Sequence, residues 1–225
     1  MPILHLFSSY NPTDPDTCRR HRVAKLTWSR QPWEPLGINN DQLQRSWKED
    51  GRSFPYIRDL FDAAISGHDP ETIICYTNSD IMVRGDCCML LSAVMQGTDA
   101  CYSYRRDFQH RIETPIPDED YIKGMPYAGS DLFAFRVRWW REYRPHMPDM
   151  ILGFEAYDPV LRLLAERTNK GAQTHLPDVI CHERHGTMWE HPKNRYRLRA
   201  QLHNLALAKS FLKSNGVNPA VHGIR

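Results

Sequence analysis

Several things are missing from this 225-residue chain, and each absence narrows what it can be. No run approaches the ~20 consecutive apolar residues that a membrane helix needs. The opening Met1-Pro2-Ile3-Leu4-His5-Leu6-Phe7 has no basic lead and too short an apolar core for a secretory leader, so it reads as a first strand in a cytoplasmic protein. The six cysteines (Cys18, Cys75, Cys87, Cys88, Cys101 and Cys181) show neither C-x-x-C spacing nor the density of a disulfide scaffold, which points to reduced, mostly buried thiols. Internal repeats and low-complexity segments are lacking. Net charge is only +2, too little for bulk electrostatics to imply a nucleic-acid partner. Hydrophobic residues at 41% and charged residues at 25% nonetheless supply a core and a surface for a folded domain.

What is present alternates between strand and helix patterns. The run Thr72-Ile73-Ile74-Cys75-Tyr76-Thr77 reads as a strand buried on both faces. It is preceded by an amphipathic helix, with Ile57, Leu60, Phe61, Ala64 and Ile65 at helical spacing, opened by Phe54-Pro55 and closed by Gly67. Further strands are expected at 3–7, 100–104, 132–135 and 176–181. Helices are expected through Arg19–Leu26, Met89–Val94, Trp139–Tyr143, from an Asp158 cap with Pro159 in the first turn, and along Leu198–Leu212. Residues 29–53 read as irregular, and 106–128 as a long loop. The pattern is α/β: one sandwich with helices on both faces of a sheet.

The buried strand ends abruptly in Asn78-Ser79-Asp80, and carboxyl ends of strands are where open α/β sheets bind ligands. On an extended chain Asn78 and Asp80 point the same way, toward one hard cation and the phosphate or ribose beside it. Ser8, Tyr10 and Asn11 follow the first strand where such folds contact a base or ribose, and Arg19, Arg20 and Arg22 come next on a helix that can face phosphates. The last strand ends in His182-Glu183-Arg184-His185, whose order and spacing differ from the H-E-x-x-H of zinc proteases.

These segments, with Phe54–Leu60, Gly129-Ser130-Asp131-Leu132-Phe133 and Gly153-Phe154-Glu155, resemble the donor-site core of GT-A glycosyltransferases over residues 54–189. The resemblance implies a GT-A-like (Rossmann-like), mainly parallel mixed sheet flanked by helices, with residues 1–190 as catalytic domain and 191–225 as a helical extension packed on it. It implies a nucleotide-sugar donor, a UDP-sugar first, and Mn²⁺ or Mg²⁺ against its diphosphate. Asp80 would be the metal ligand, with His185 and then His182 closing the site. Asn78 stands where the family's metal-binding motif has its first Asp. Glu155 is preferred over Asp158 as the base for the acceptor hydroxyl because Asp158 is accounted for as a helix cap, and Asp131 would position sugar or acceptor hydroxyls.

The acceptor stays open among a cytosolic polymer, a small molecule and DNA carrying a hydroxymethylated base, as a compact phage enzyme would use. Two basic groups bear on it: Arg136, Arg138, Arg141 and Arg144 around Trp139-Trp140, and Lys193, Arg195, Arg197, Arg199, Lys209 and Lys213 near Trp189 and Tyr196. Trp139, Trp140, Arg195 and Arg199 are therefore the expected acceptor contacts. Two rival readings are a nucleotidyltransferase, which would carry a glycine-rich loop where Ser8-Ser9-Tyr10-Asn11-Pro12 has none, and a nucleic-acid-binding module without enzymatic activity.

Overall fold

The computed structural model describes residues 2–9, 12–39, 43–49, 52–169, 172–185, 197–222 and 224. Seven strands form one sheet in the order β2-β1-β5-β8-β7-β9-β6, made of β1 (Ile3–Ser9), β2 (Glu34–Asn39), β5 (Ile73–Thr77), β6 (Met82–Val83), β7 (Ala100–Phe108), β8 (Met125–Arg136) and β9 (His175–Glu183). β2, β1 and β5 run parallel, β8 runs against β5 and β7, β9 runs parallel to β7, and β6 runs against β9. Five strands thus point one way, which makes the sheet mixed and mainly parallel, as expected. A short antiparallel ribbon, β3 (Ser46–Glu49) with β4 (Arg52–Pro55), stands apart.

Strict alternation along the central strands sorts the core into two layers. Ile74, Tyr76, Tyr102, Phe133 and Phe135 face one layer, closed by α2 (Ile57–Ile65), α4 (Val137–Tyr143), α5 (Tyr157–Thr168) and α6 (Arg197–Ser214). Ile73, Cys75, Cys101, Leu132 and Ala134 face the other, closed by α1 (Pro15–Trp28), α3 (Cys87–Val94) and the connection from Ile112 to Tyr121. Five of the six cysteines are buried thiols, and Cys18 on α1 is exposed. No helix among the described residues is long and apolar enough to cross a membrane.

Three departures from the sequence expectation have physical reasons. Residues 29–53 hold β2 and most of the ribbon; Pro35 and Gly37 hide β2 in the sequence, yet it is the sheet's edge, where proline is tolerated. The segment 106–128 is not one long loop, because β7 runs to Phe108 and β8 begins at Met125 after a 3-10 turn at Asp118–Lys123. Pro55 closes β4 rather than opening α2, which begins at Ile57.

One buried ion pair ties the two halves of the second layer together. Arg19 of α1 grips both carboxylate oxygens of Glu183 at the end of β9, at 2.7 and 2.6 Å, and Ile112 donates its backbone N–H to the same carboxylate. Arg19 is therefore spent on structure, not on a phosphate. Glu183→Ala leaves that guanidinium buried without a counter-charge and should cost about 3–5 kcal/mol. Replacing both partners by methionine should recover most of the loss. Urea unfolding measures both; a single-mutant loss below about 1 kcal/mol would show that the pair holds little.

Candidate functional site

β1 is flanked by β2 on one side and β5 on the other, so the strand order reverses at β1. This is the switch point at which α/β sheets form a crevice. Beneath it, His5 of β1 meets Thr77 Oγ1 at 2.8 Å and stacks on Trp33 at 4.1 Å. Burial pushes the His5 pKa down to about 3, so it is a neutral core residue. Ser8 is the last but one residue of β1; Tyr10 and Asn11 lie outside the described residues. Arg22 is exposed on α1.

Asn78, Ser79 and Asp80 follow β5 directly. The backbone turns there, Ile81 N–H donating to Asn78 O at 3.3 Å, and this overturns the expectation that Asn78 and Asp80 point the same way. Asn78 instead looks across to β8: its amide donates to Asp131 Oδ1 at 2.5 Å, while its carbonyl oxygen accepts from Tyr76 at 2.5 Å and Tyr157 at 3.3 Å. Ser79 lies half-buried on the turn.

Asp80 looks to the end of β9. His185 Nε2 is 3.1 Å and His182 Nε2 3.4 Å from Asp80 Oδ2, and the two ring nitrogens are 3.1 Å apart. The ligand atoms of all three residues lie within 4.8 Å of one another. Two imidazoles and one carboxylate converging on one point are a donor set that suits Mn²⁺ or a similar transition ion better than Mg²⁺, which prefers oxygen alone. On the other side of the ring, His182 Nδ1 faces Asp107 Oδ1 at 3.4 Å, the carboxylate–histidine arrangement common behind metal ligands. The residues therefore fit a metal ion.

The electrostatics follow from these neighbours. Burial opposes charge on His182, but Asp80 and Asp107 outweigh it and push its pKa up to about 9. Burial likewise opposes ionisation of Asp80, and His182 and His185 overcome it, holding that carboxyl well below the usual range.

Asp131 and Asp158 form the next group along the rim. Both Asp131 oxygens are engaged, one by Asn78 and the other by Arg105 Nη1 at 2.6 Å. Asp158 is not the helix cap that the sequence suggested: α5 begins at Tyr157, after Ala156 in a left-handed conformation. Its carboxylate accepts from Ser130 N–H at 3.3 Å, and burial, reinforced by the charge of Asp131, pushes its pKa up to about 6. Glu155 is exposed and accepts from Gln201 of α6 at 2.9 Å. The reason for preferring Glu155, that Asp158 caps a helix, therefore does not hold.

The expected acceptor contacts are displaced too. Trp139 and Trp140 are buried in the core, their ring N–H groups donating to Thr168 and Asp62. α4 starts where β8 ends, opposite the first residue of β5, which puts it at the far rim of the sheet from Asp80. There Arg136 and Arg138 pair with Glu71 and Asp99, and Arg144 pairs with Asp62. Those cations are engaged, and do not flank the site. Arg199 is exposed, its guanidinium 6.0 Å from the centre of the Trp47 ring. Arg195 lies outside the described residues.

Arg105 and Asp107 were missed by sequence reasoning. Their signal was a polar run, Arg105-Arg106-Asp107, continuing an apolar strand at period two.

No family model matches the chain, and no curated protein does. Solved structures do. S. aureus TarS 1–349 in complex with UDP-GlcNAc superposes with a TM-score of 0.55 at 13% identity, over 94% of this chain and 72% of that one. The same segment in complex with UDP gives 0.50 at 10% identity, over 94% and 71%. A further S. aureus TarS structure gives 0.50 at 10% identity over 82% of this chain, but 37% of its own. At these identities the likeness is one of fold, and the fold is GT-A-like.

The His182 shift gives a direct test of the candidate metal centre. A proton held with a pKa of about 9 must leave before the imidazole can bind an ion. Mn²⁺ affinity should therefore rise about tenfold between pH 7 and pH 8, with about one proton released per ion. Calorimetry in buffers of different ionisation enthalpy reads both quantities. Asp80→Ala should abolish the binding, and an affinity flat in pH would contradict the assignment.

Proposed function

We propose that this chain is a divalent-metal-dependent glycosyltransferase that moves a sugar from a UDP-linked donor to a hydroxyl acceptor. The observation that carries the reading is the convergence of Asp80, His182 and His185 at the carboxyl end of β5, with the half-buried Asp158 across the same rim. The likeness to TarS structures holding UDP-GlcNAc and UDP supports the class of donor.

Asp80, His182 and His185 would hold the ion, which when bound supplies positive charge against the donor's leaving diphosphate. The remaining work falls to the chain itself. The crevice between the ends of β1 and β5 receives the nucleotide. Asp158 accepts the acceptor's proton; a base with a pKa of about 6 is mostly ionised at pH 7 and still basic enough to be useful. Asp131 sustains that pKa by its charge, while Asn78 and Arg105 hold Asp131 in place. For the acceptor, the engaged arginines around α4 remove one support for DNA; hydroxymethylated duplex is a useful probe beside neutral sugars.

Two measurements test this. A UDP-sugar should raise the unfolding temperature in the presence of Mn²⁺ and much less with chelator, since a ligand of the native state stabilises it. No shift with UDP-glucose, UDP-GlcNAc or UDP itself would overturn the donor assignment.

Asp158→Asn should slow UDP release by about 10²–10⁴-fold, and wild-type activity should fall as pH drops through about 6. The stability effect has the opposite sign. A carboxyl whose folded pKa is raised costs stability above about pH 6, and nothing once pH lies below the ordinary carboxylate range. Asp158→Asn should therefore stabilise the protein by about 2 kcal/mol at pH 8 and leave it unchanged near pH 3.5. A variant that is both active and no more stable would return the role to Glu155.

A further inference from the structure

Arg105 sits where the sheet is most irregular. On one side the β7–β8 register slips twice, Tyr104 pairing with Ser130 and Arg105 with Tyr127; on the other the β7–β9 register jumps from Ser103–Leu176 to Arg105–Ile180. The extra residues of β9 include Asp178 in the left-handed region, with φ of 43°. Bulges of this kind re-aim side chains, and they are enriched beside functional sites. Here the slips end at Arg105, whose guanidinium is laid over the Tyr127 ring at 4.0 Å. From that platform Nε donates to Asp107 Oδ1 at 2.8 Å and Nη1 to Asp131 Oδ2 at 2.6 Å.

Those two carboxylates have different duties. Asp107 pairs in register with His182 across β7 and β9, and its carboxylate faces the ring Nδ1 at 3.4 Å. Asp131 receives Asn78 and lies beside Asp158. One planar fork therefore spans the metal-holding end of the rim and the acceptor end.

We infer that Arg105 is a positioning residue that couples the two halves of the site: through Asp107 it fixes the orientation of His182, and through Asp131 it fixes the acceptor-side carboxylates. A lysine keeps the charge but has a single ammonium, which cannot reproduce a planar fork between two carboxylates. The inference rests on the metal-dependent reading above, and its test uses Mn²⁺ binding to the full chain, followed by the electron paramagnetic resonance of free Mn²⁺, with no turnover required.

Arg105→Lys should weaken Mn²⁺ binding about tenfold, within the range for groups behind metal ligands. Asp107→Asn should do the same, and the double variant should be no weaker than the worse single one, because both remove one arrangement. Arg106→Lys is the control: Arg106 is the next residue of the same strand and makes an equally bidentate pair, with Asp178, but outside this network. It should leave Mn²⁺ affinity within about twofold. Wild-type affinity in Arg105→Lys, strictly additive losses in the double variant, or an equal loss in Arg106→Lys would each overturn the coupling. Should Arg105→Lys fail to fold, Asp107→Asn, which keeps the Arg105–Asp131 pair, decides alone: unchanged affinity overturns the proposal. Absence of Mn²⁺ binding in the wild type is a separate outcome, which removes the metal reading and this inference with it.

Discussion

Like charges cannot be crowded at a partly dry rim without cations between them, and that constraint governs this molecule. Four carboxylates, Asp80, Asp107, Asp131 and Asp158, gather at the carboxyl end of the sheet. In a medium of low polarity their repulsion would outweigh most of what packing supplies. The structure answers with alternation: Asp80, then His182, then Asp107, then Arg105, then Asp131. Asp158 comes last, with Asp131 beside it and the charge of Arg162 and the Ser130 N–H to relieve it. Its readiness to take a proton comes first from burial and then from the charge of Asp131, where the alternation runs out.

Placing such a row requires elements from far apart in sequence to end at one level. Parallel strands do this for Asp80, Asp107 and His182, which leave β5, β7 and β9 at the same rim. β8 brings Asp131 there only because it runs the opposite way, entering the sheet where its neighbours leave it. The same reversal sends α4 and its arginines to the far rim. Next to His182, Glu183 is locked to Arg19, so the position of the last strand depends on a helix that begins at Pro15.

Local pattern was enough for much of this. The central strand and the helices before and after it could be read from hydrophobic period, Asp80 from its place among polar residues at a strand end, and the two late histidines from the GT-A resemblance. The structure brings those three side chains together. What could not be read depended on backbone direction and on partners distant in sequence. Asn78 turns away from Asp80 because the chain bends after Thr77. Trp139 and Trp140 were expected to meet the acceptor beside a group of arginines, but Asp62, Glu71 and Asp99, all far upstream, claim the cations, and the indoles lie inside. Asp158 resembled a cap because Asp-Pro often is one; Ala156 takes the left-handed turn instead. Arg105 and Asp107 show their meaning only beside β9.

The distribution of thiols has a practical side. Five cysteines are sealed in the core, where burial disfavours the thiolate at each of them. Cys18 alone reaches solvent, on the first turn of α1, with its sulfur 3.2 Å from the carbonyl of Pro12. A maleimide dye would find one address on the native chain, nine residues beyond the end of β1. Fluorescence from that position could follow nucleotide arrival in the natural sequence, with no cysteine added or removed.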